Sequence, residues 1–332
     1  MITRKTLPRG FVVRHPTMND IESTLRMIQA HEMAMDGEIE TTLEDMHRWW
    51  NMPDFDIATD AWLLLSPEGH IAGTAALSHR AHARLNAEMT LHPAFEQPAL
   101  GAYLLSLVEE RALQHIPLAP SDARVAILAW TSSGDKSNQE LLLEHGFKHI
   151  RASWRMKIEL QEAPPAPHWP EGIHVQTLSA NMNLLRAVYE ADEEAFRDHW
   201  GHMPHTFEEF QYFTSRRKNY DPSLWFLAMD GEQIAGIALC ADEKEQGGWV
   251  HSLAVRRPWR RRGIGEALLY HAFGEFYRRG INSVYLGVDA QSLTGATRLY
   301  QRVGMHIHRE YHTYEKELRA GRELSTQSLD GE

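Results

Sequence analysis

The chain is written twice. Gly10-Phe11-Val12-Val13 returns as Gly172-Ile173-His174-Val175 at an offset of 162, each opening an extended segment that leads into an amphipathic helical stretch. Ala61-Trp62-Leu63-Leu64 with Ile71-Ala72-Gly73 returns at an offset of 163 as Leu224-Trp225-Phe226-Leu227 with Ile234-Ala235-Gly236. A turn separates the two apolar runs in each copy (Pro67-Glu68-Gly69; Asp230-Gly231-Glu232), so both read as hairpins. Leu100-Gly101 with Leu104-Leu105 matches Ile264-Gly265 with Leu268-Leu269 at 164, and Gly146-Phe147 matches Gly304-Met305 at 158. A repeat of domain size means a duplicated domain rather than a solenoid. At 332 residues the chain is long enough for two cores of ordinary size.

Pro164-Pro165-Ala166-Pro167-His168-Trp169-Pro170 lies between the copies, and its prolines remove the backbone donors that a helix or central strand needs. The boundaries expected are therefore a first domain over 1–160, a Pro-rich linker over 161–171, a second domain over 172–318, and a flexible polar tail over 319–332. In the second copy a strand at 173–176 precedes helices at about 182–195 and 206–216 and strands at 225–229, 233–240 and 249–255. A helix at 263–279, a strand at 283–288, a helix at 295–303 and a strand near 307–314 follow. This is a mixed α/β (α+β) order: two tandem domains, each a twisted mixed sheet flanked by helices. Leu268, Leu269, Ala272, Phe273 and Phe276 mark one apolar stripe, and Arg278-Arg279-Gly280 supplies a cationic last turn and a stop.

Hydrophobic residues at 43% and charged residues at 24% fit a soluble globular protein. No window approaches the roughly 20 apolar residues of a bilayer helix, and Met1 to Val13 has no apolar h-region, so a cytoplasmic protein with no membrane partner is expected. The single cysteine, Cys240, can form neither an internal disulfide nor a Cys-based zinc cluster, and is read as a small buried apolar residue. A formal charge of −11 argues against a nucleic-acid partner, which needs a positive footprint. Of the 20 histidines, His199, His202 and His205 have regular spacing, but Gly201 and Pro204 break any helix that would align them, and no metal site is assigned.

The chemistry-bearing segment begins on an apolar strand, Trp249 to Val255, and runs through Arg256-Arg257-Pro258-Trp259-Arg260-Arg261-Arg262-Gly263-Ile264-Gly265 into a helix. Glycines bare the backbone, first-turn N–H groups lack intrahelical partners, and the helix dipole adds positive charge beside the arginines, so a pyrophosphate would fit. A dinucleotide fingerprint lacks its third glycine here, and no Gly-Lys-Ser/Thr makes a Walker loop. Taken alone, the arginines could equally be a solvated basic turn. With Ala296-Thr297-Arg298-Leu299-Tyr300 downstream, however, the segment resembles the GNAT superfamily of acyl-CoA-dependent N-acyltransferases. Arg260, Gly263 and Gly265 stand at the Arg/Gln-x-x-Gly-x-Gly/Ala positions, and Ala296, Leu299 and Tyr300 at those of the later tyrosine helix. The duplicated layout is similar to tandem GNAT proteins of mycothiol synthase-like architecture.

That resemblance implies acetyl-CoA as donor, with its pyrophosphate and arm held by Leu253, Ala254, Val255, Arg260, Arg261, Arg262, Gly263, Ile264, Gly265, Glu266, Ser292 and Tyr300. It also implies that the strand at 249–255 splays from the strand at 283–288 to admit the pantetheine arm. Ser292 stands where many members have Asn, and Trp249 where mycothiol synthase-like chains carry a catalytic Glu. Tyr300 is the candidate acid for the departing thiolate, and His251 the candidate base, set by strand alternation on one face with Trp249 and Leu253. Glu193, Asp198 and His199 are alternatives, and His251 could also be a satisfied strand histidine. Trp200, Phe207, Phe210, Tyr212 and Phe213 are candidates for an acceptor pocket or for core.

The first copy has Glu96, Ala99 and Gly101 opposite Arg260, Gly263 and Gly265, with Pro98 lacking an N–H, and Leu142 opposite Tyr300. It is expected to be degenerate and not to bind the cofactor. The activity expected is transfer of an acetyl group to a primary amine of a small molecule, directly in a ternary complex, because no nucleophile is placed for an acyl-enzyme. A non-catalytic acyl-CoA-binding module is the alternative, a nucleic-acid module the third reading, and the chain is expected to be a monomer or homodimer.

Overall fold

Short alternating apolar runs closed by tight turns become β-strands. The computed structural model describes residues 6–292 and 295–327, and the chain forms two units. One holds the residues up to Ala152 with Tyr311–Leu324, the other Ser153–Glu310 with the residues from Ser325 onward.

In the first unit β1 (Val12–Arg14), α1 (Ile21–Asp36), α2 (Leu43–Trp50) and α3 (Ile57–Asp60) precede β2 (Ala61–Leu65), β3 (Ile71–Arg80) and β4 (Arg84–Leu91). α4 (Pro98–His115), β5 (Val125–Ser132), α5 (Lys136–Glu144) and the start of β6 (Lys148–Glu159) follow. β1 to β4 pair antiparallel in chain order, and β4 pairs parallel with β5. Leu100, Leu104, Leu105, Val108 and Ala112, at helical spacing on α4, are all fully buried against the sheet. Tyr311–Arg319 completes this sheet, antiparallel to β5.

The second unit repeats the plan. β7 (Ile173–Thr177), α6 (Leu185–Phe196), α7 (Phe207–Phe213), β8 (Trp225–Asp230), β9 (Gln233–Asp242) and β10 (Gly248–Val255) come first. They lead to α8 (Ile264–Arg278), β11 (Ser283–Asp289), α9 (Ala296–Arg302) and β12 (His306–Arg319), whose far part belongs to the first unit. β7 to β10 pair antiparallel in order, β10 pairs parallel with β11, and β11 pairs antiparallel with Ser153–Glu159 of β6. The stripe of α8 packs on one face of the sheet with Phe226, Val250 and Leu286, while Val188, Ala191 and Ala195 of α6 pack on the other. Deleting Phe273 or Phe276, both fully buried, would cost about 3–5 kcal/mol.

The repeated glycine of the hairpins has a steric reason. A Cβ on Gly73 would lie 2.7 Å from Leu91 Cδ2, and one on Gly236 2.9 Å from the Ala254 carbonyl. A larger residue at either place would push its strand away from the neighbouring strand and helix.

Three expectations need correction. The units do not follow the linear boundaries: Ser153–Glu159, counted with the first domain, pairs with β11, and the stretch from Tyr311, counted with the second domain through Leu318 and with the tail at Arg319, pairs with β5. Hydrophobic alternation makes both segments strands without naming their partners. The helix expected at 182–195 begins as a 3₁₀ turn at Met182–Leu184, and that expected at 206–216 ends at Phe213. The tail is fastened through Gln327: Arg319 donates to the carbonyls of Ile116 and Ala123, and Thr326 exchanges backbone bonds with Gly201 and His202 at 2.6 and 3.0 Å. Residues 328–332 lie outside the described residues. Among the described residues no helix is long and apolar enough to cross a membrane.

Candidate active site

β10 pairs with β9 along its length, but with β11 only at Gly248↔Val284 and Trp249↔Tyr285. Beyond Trp249 the two parallel strands part, and among the described residues β11 offers that edge of β10 no further ladder pair. Register against β9 also slips: Val250 faces Cys240 and Ser252 faces Leu239, so His251 is the extra residue of a β-bulge. A bulge reverses side-chain parity. Val250, Leu253 and Val255 all pack on the α8 side, while Ser252 bonds Asp192 on α6. Trp249 and His251 do share a face, with ring centroids 5.6 Å apart and planes at 10°, but Leu253 does not join them as simple alternation predicts.

The turn after β10 is built for close approach. Gly263 has φ +84° and a Cβ there would meet nothing within 4 Å, so the backbone ahead of α8 stands bare. Arg261 also adopts a left-handed φ of +64°, which costs about 1–3 kcal/mol for a residue with a side chain. Gly265 serves packing instead, since its Cβ would lie 3.2 Å from Leu299 Cδ2 on α9. Ile264 is buried under α8, and Glu266, in the first turn, lies 3.4 Å from Arg302.

The five arginines divide by partner. Arg257 Nη2 and Arg260 Nη1 share the buried Asp198 at 2.5 and 2.7 Å, and Arg260 Nε also donates to the Val255 carbonyl at 3.1 Å. Hydrogen bonds from Arg257 and then Arg260 hold the Asp198 carboxyl down at about 2. Arg256 pairs with Glu194 at 2.6 Å and lies over the Trp259 ring. Arg262 is exposed, donating to the Glu171 carbonyl at 3.3 Å, and the exposed Arg261 has no side-chain partner among the described residues. Arg260 is thus turned inward as a prop for the turn, and Asp198, a candidate base by sequence, is the counter-ion that holds it.

Tyr300 is 7% exposed on α9, and its hydroxyl has no hydrogen-bond partner among the described residues. Burial pushes the phenol up to about 12, so it keeps its proton. Ser292 Oγ accepts from the Ala296 N–H at 3.3 Å and steadies the start of α9. Thr294, two residues before α9, lies outside the described residues.

Beside the bulge is a cavity of about 250 Å³. Asp192, Glu193, Phe213, Arg217, Tyr220, Cys240, His251 and Ser252 line it, with Tyr300 and His199 not among its lining residues. Glu243 Oε1 accepts from Arg217 Nη2 at 2.7 Å and lies 2.8 Å from His251 Nε2, while Asn219 donates to Oε2 at 2.6 Å. Arg217 Nη1 also lies 3.0 Å from His251 Nε2, so Nε2 faces both a donor and an acceptor; with Nε2–H directed at Glu243, the ring's acceptor nitrogen is Nδ1. Glu193 Oε1 lies 3.0 Å from His205 Nδ1 and Oε2 3.5 Å from His202 Nε2, so a carboxylate joins two of the three spaced histidines. His199 stacks on Phe196 at 4.4 Å, and burial lowers its pKa.

Asp192 is the residue that sequence reasoning missed. Burial pushes its carboxyl up to about 6 despite the short bond from Ser252. Its signal was present: it stands four residues after Val188 and three before Ala195, on the buried stripe of α6. Arg217, Asn219 and Glu243 carry no comparable signal, because they converge from separate loops.

Comparison with known proteins gives one family match, to the acetyltransferase (GNAT) family over residues 185–305. The chain is 39% identical to a solved GCN5-related N-acetyltransferase from Sphaerobacter thermophilus, over 97% of this chain and 100% of that one, with a TM-score of 0.84. It is 26% identical to a mycothiol acetyltransferase of Catenulispora acidiphila, over 88% of this chain and 94% of that one. A tandem GNAT protein from the clavulanic acid biosynthesis pathway shares the fold at a TM-score of 0.72 and 15% identity, covering 94% of this chain and 100% of that one.

Proposed function

Because the chain belongs to the GNAT family of N-acetyltransferases, we propose that its second unit moves the acetyl group of acetyl-CoA to a primary amine of a small molecule, directly within a ternary complex. The observation that carries this reading is the parting of β10 from β11 at Trp249, directly before the bare first turn of α8. When bound, acetyl-CoA supplies an activated thioester. The free N–H groups of Gly263 to Glu266, with Arg261 and Arg262, suit two linked phosphates, while Arg260 braces the turn from behind. The unpaired edge from Leu253 to Val255 suits the amide-bearing arm.

His251 Nδ1 removes the proton that an ammonium acceptor must lose, and Glu243 is the positioning residue that directs Nε2. Tyr300 holds a proton at its hydroxyl for the departing sulfur. Asp192 and Glu193 on the cavity wall suit a cationic amine, and about 250 Å³ suits a small one. A second reading, with Asp192 as base, is favoured by its position on the bulge through Ser252.

The test is a panel of primary amines, beginning with the amine whose acetylation yields mycothiol, followed by thiol release. His251→Gln is expected to lower kcat about 100-fold with the KM for acetyl-CoA unchanged. If Asp192→Asn does so and His251→Gln does not, the second reading replaces the first. Unaltered turnover in both variants would remove this cavity from the reaction.

A further inference from the structure

Three histidines of the first unit, which plays no part in the reaction proposed above, gather away from that unit's counterpart of the donor turn. His79 is the penultimate residue of β3, His82 sits in the turn between β3 and β4, and His115 closes α4. One nitrogen from each ring lies within 4.8 Å of the others, and His82 Nδ1 is 2.8 Å from His115 Nδ1. His79 and His82 stack at 4.0 Å between centroids. We propose that His79, His82 and His115 form a binding site for a divalent transition-metal ion of the zinc class, held by one nitrogen of each ring with a further position open to water.

Three observations carry this. Hydrogen bonding within the trio does not satisfy it: His79 Nδ1 and His115 Nε2 are both buried with no partner, although buried ring nitrogens ordinarily find one. The turn that presents His82 is strained, since Ala81 at φ +50° and His82 at φ +53° both occupy the left-handed region where glycine or asparagine is usual. Such strain persists where the surroundings impose it, and it is concentrated at ligand sites. Finally, the chemistry of the donors is right, because neutral imidazole is the ligand that zinc, nickel and copper ions share.

Burial foremost, then His79, Arg111 and His82, hold His115 down at about 4, and burial lowers His79 as well. The guanidinium of Arg111 is itself neutralised by the buried Asp60, Nε to Oδ1 at 2.7 Å, and also donates to Gln114. Asp54 and Asp60 are the carboxylates that act on His79, so the local field is not closed to a cation. Zinc–nitrogen bonds of about 2.0–2.1 Å in tetrahedral array place ligand nitrogens about 3.3 Å apart, against the 4.8 Å or less that separates one nitrogen of each ring here.

The ligands come from a hairpin turn and a helix end, so an ion there clips α4 to the β3–β4 hairpin. The test uses the full chain after chelator treatment, titrated with Zn(II) alone by calorimetry and with Co(II) by visible absorption. Wild-type protein is expected to bind one Zn(II) with submicromolar affinity, to give Co(II) absorption of tetrahedral intensity, and to melt roughly 5 °C higher with excess Zn(II). His82→Ala, half-buried in its turn, is expected to lose at least 100-fold in affinity and the whole thermal shift while keeping acetyl transfer. Should His82→Ala fold poorly, His79→Gln makes the same comparison. Equal Zn(II) affinity in wild type and in a folded variant of either position would overturn the site and leave only scattered surface histidines binding metal. Loss of transfer activity in the wild type would bear on the proposed reaction and not on this site.

Discussion

The same strand-turn-helix junction is built once in each copy, and the two copies line it with different residues. In both, the parallel pair opens: β4 pairs with β5 from Arg84↔Ala126 to Ala87↔Ala129 and then no further, as β10 does with β11. What differs is the lining. In the first copy the Leu91 carbonyl at the strand end is met by His31 Nδ1 at 3.0 Å, and His31 Nε2 lies 3.3 Å from Asp135. The turn carries Glu96 and leads into α4 through Pro98, which has no N–H to offer. Leu142, fully buried, stands where the second copy has Tyr300. The duplicated fold therefore rests on apolar spacing and a few glycines, while competence for a charged ligand rests on a handful of polar residues that can be lost without harm to the sheet.

The contrast can be broken or sharpened by mutation. The largest effect is expected from reversing the exposed charges: Arg261→Glu with Arg262→Glu should weaken coenzyme A binding about 1000-fold by calorimetry, since two anions then face the phosphates. Unchanged binding would move the donor site out of the second unit.

Asp192 should come next. Its folded carboxyl at about 6 lies above the ordinary 3.8, so the folded chain holds that proton more tightly than the unfolded chain does. The cost of ionising it is absent below about pH 4 and complete above about pH 6, reaching about 3 kcal/mol at most. Asp192→Asn should therefore stabilise the protein at pH 8 and leave it unchanged at pH 4, as read from denaturant melts. Equal effects at both values would mean that burial is not what raises this group.

A smaller loss attaches to Tyr300→Phe: kcat should fall about 10- to 100-fold with coenzyme A affinity intact, measured by thiol release. The smallest effect belongs to the first copy. Glu96→Arg, on an exposed turn, should change stability by less than about 0.5 kcal/mol and create no second coenzyme A site, because Pro98 and the His31 contact with Leu91 remain. A second binding event in that variant would show that a single charge separates the copies.

Much of the second unit was legible residue by residue. The stripe of α8 and the glycine before it stand where motif and spacing put them, because each depends on neighbours within a few turns of chain, and the strands part where the family resemblance implied. The bulge at His251 was not legible, since an extra residue is defined only against the partner strand, and it moved Leu253 to the other face. Nor could the arginine turn be divided by sequence. Arg260 lies 62 positions from Asp198, and only packing tells which guanidiniums meet a carboxylate and which meet water. The histidine trio escaped for the same reason: His115 follows His82 by 33 residues and meets it only when α4 lies on its hairpin.

Sequence alone determined that this chain is a doubled domain, with two strand-turn-helix junctions of opposite charge. These are consequences of periodicity, turn residues and local electrostatics, all of which act over short stretches. Tertiary structure alone decided that Tyr311–Arg319 completes the first sheet and Ser153–Glu159 the second, that Asp192 sits desolvated beside Ser252, and that Arg260 is a prop. A strand's edge bonds to whichever complementary edge packing brings to it, and a charge's partner is whichever opposite charge shares its burial. Neither is encoded by nearness along the chain.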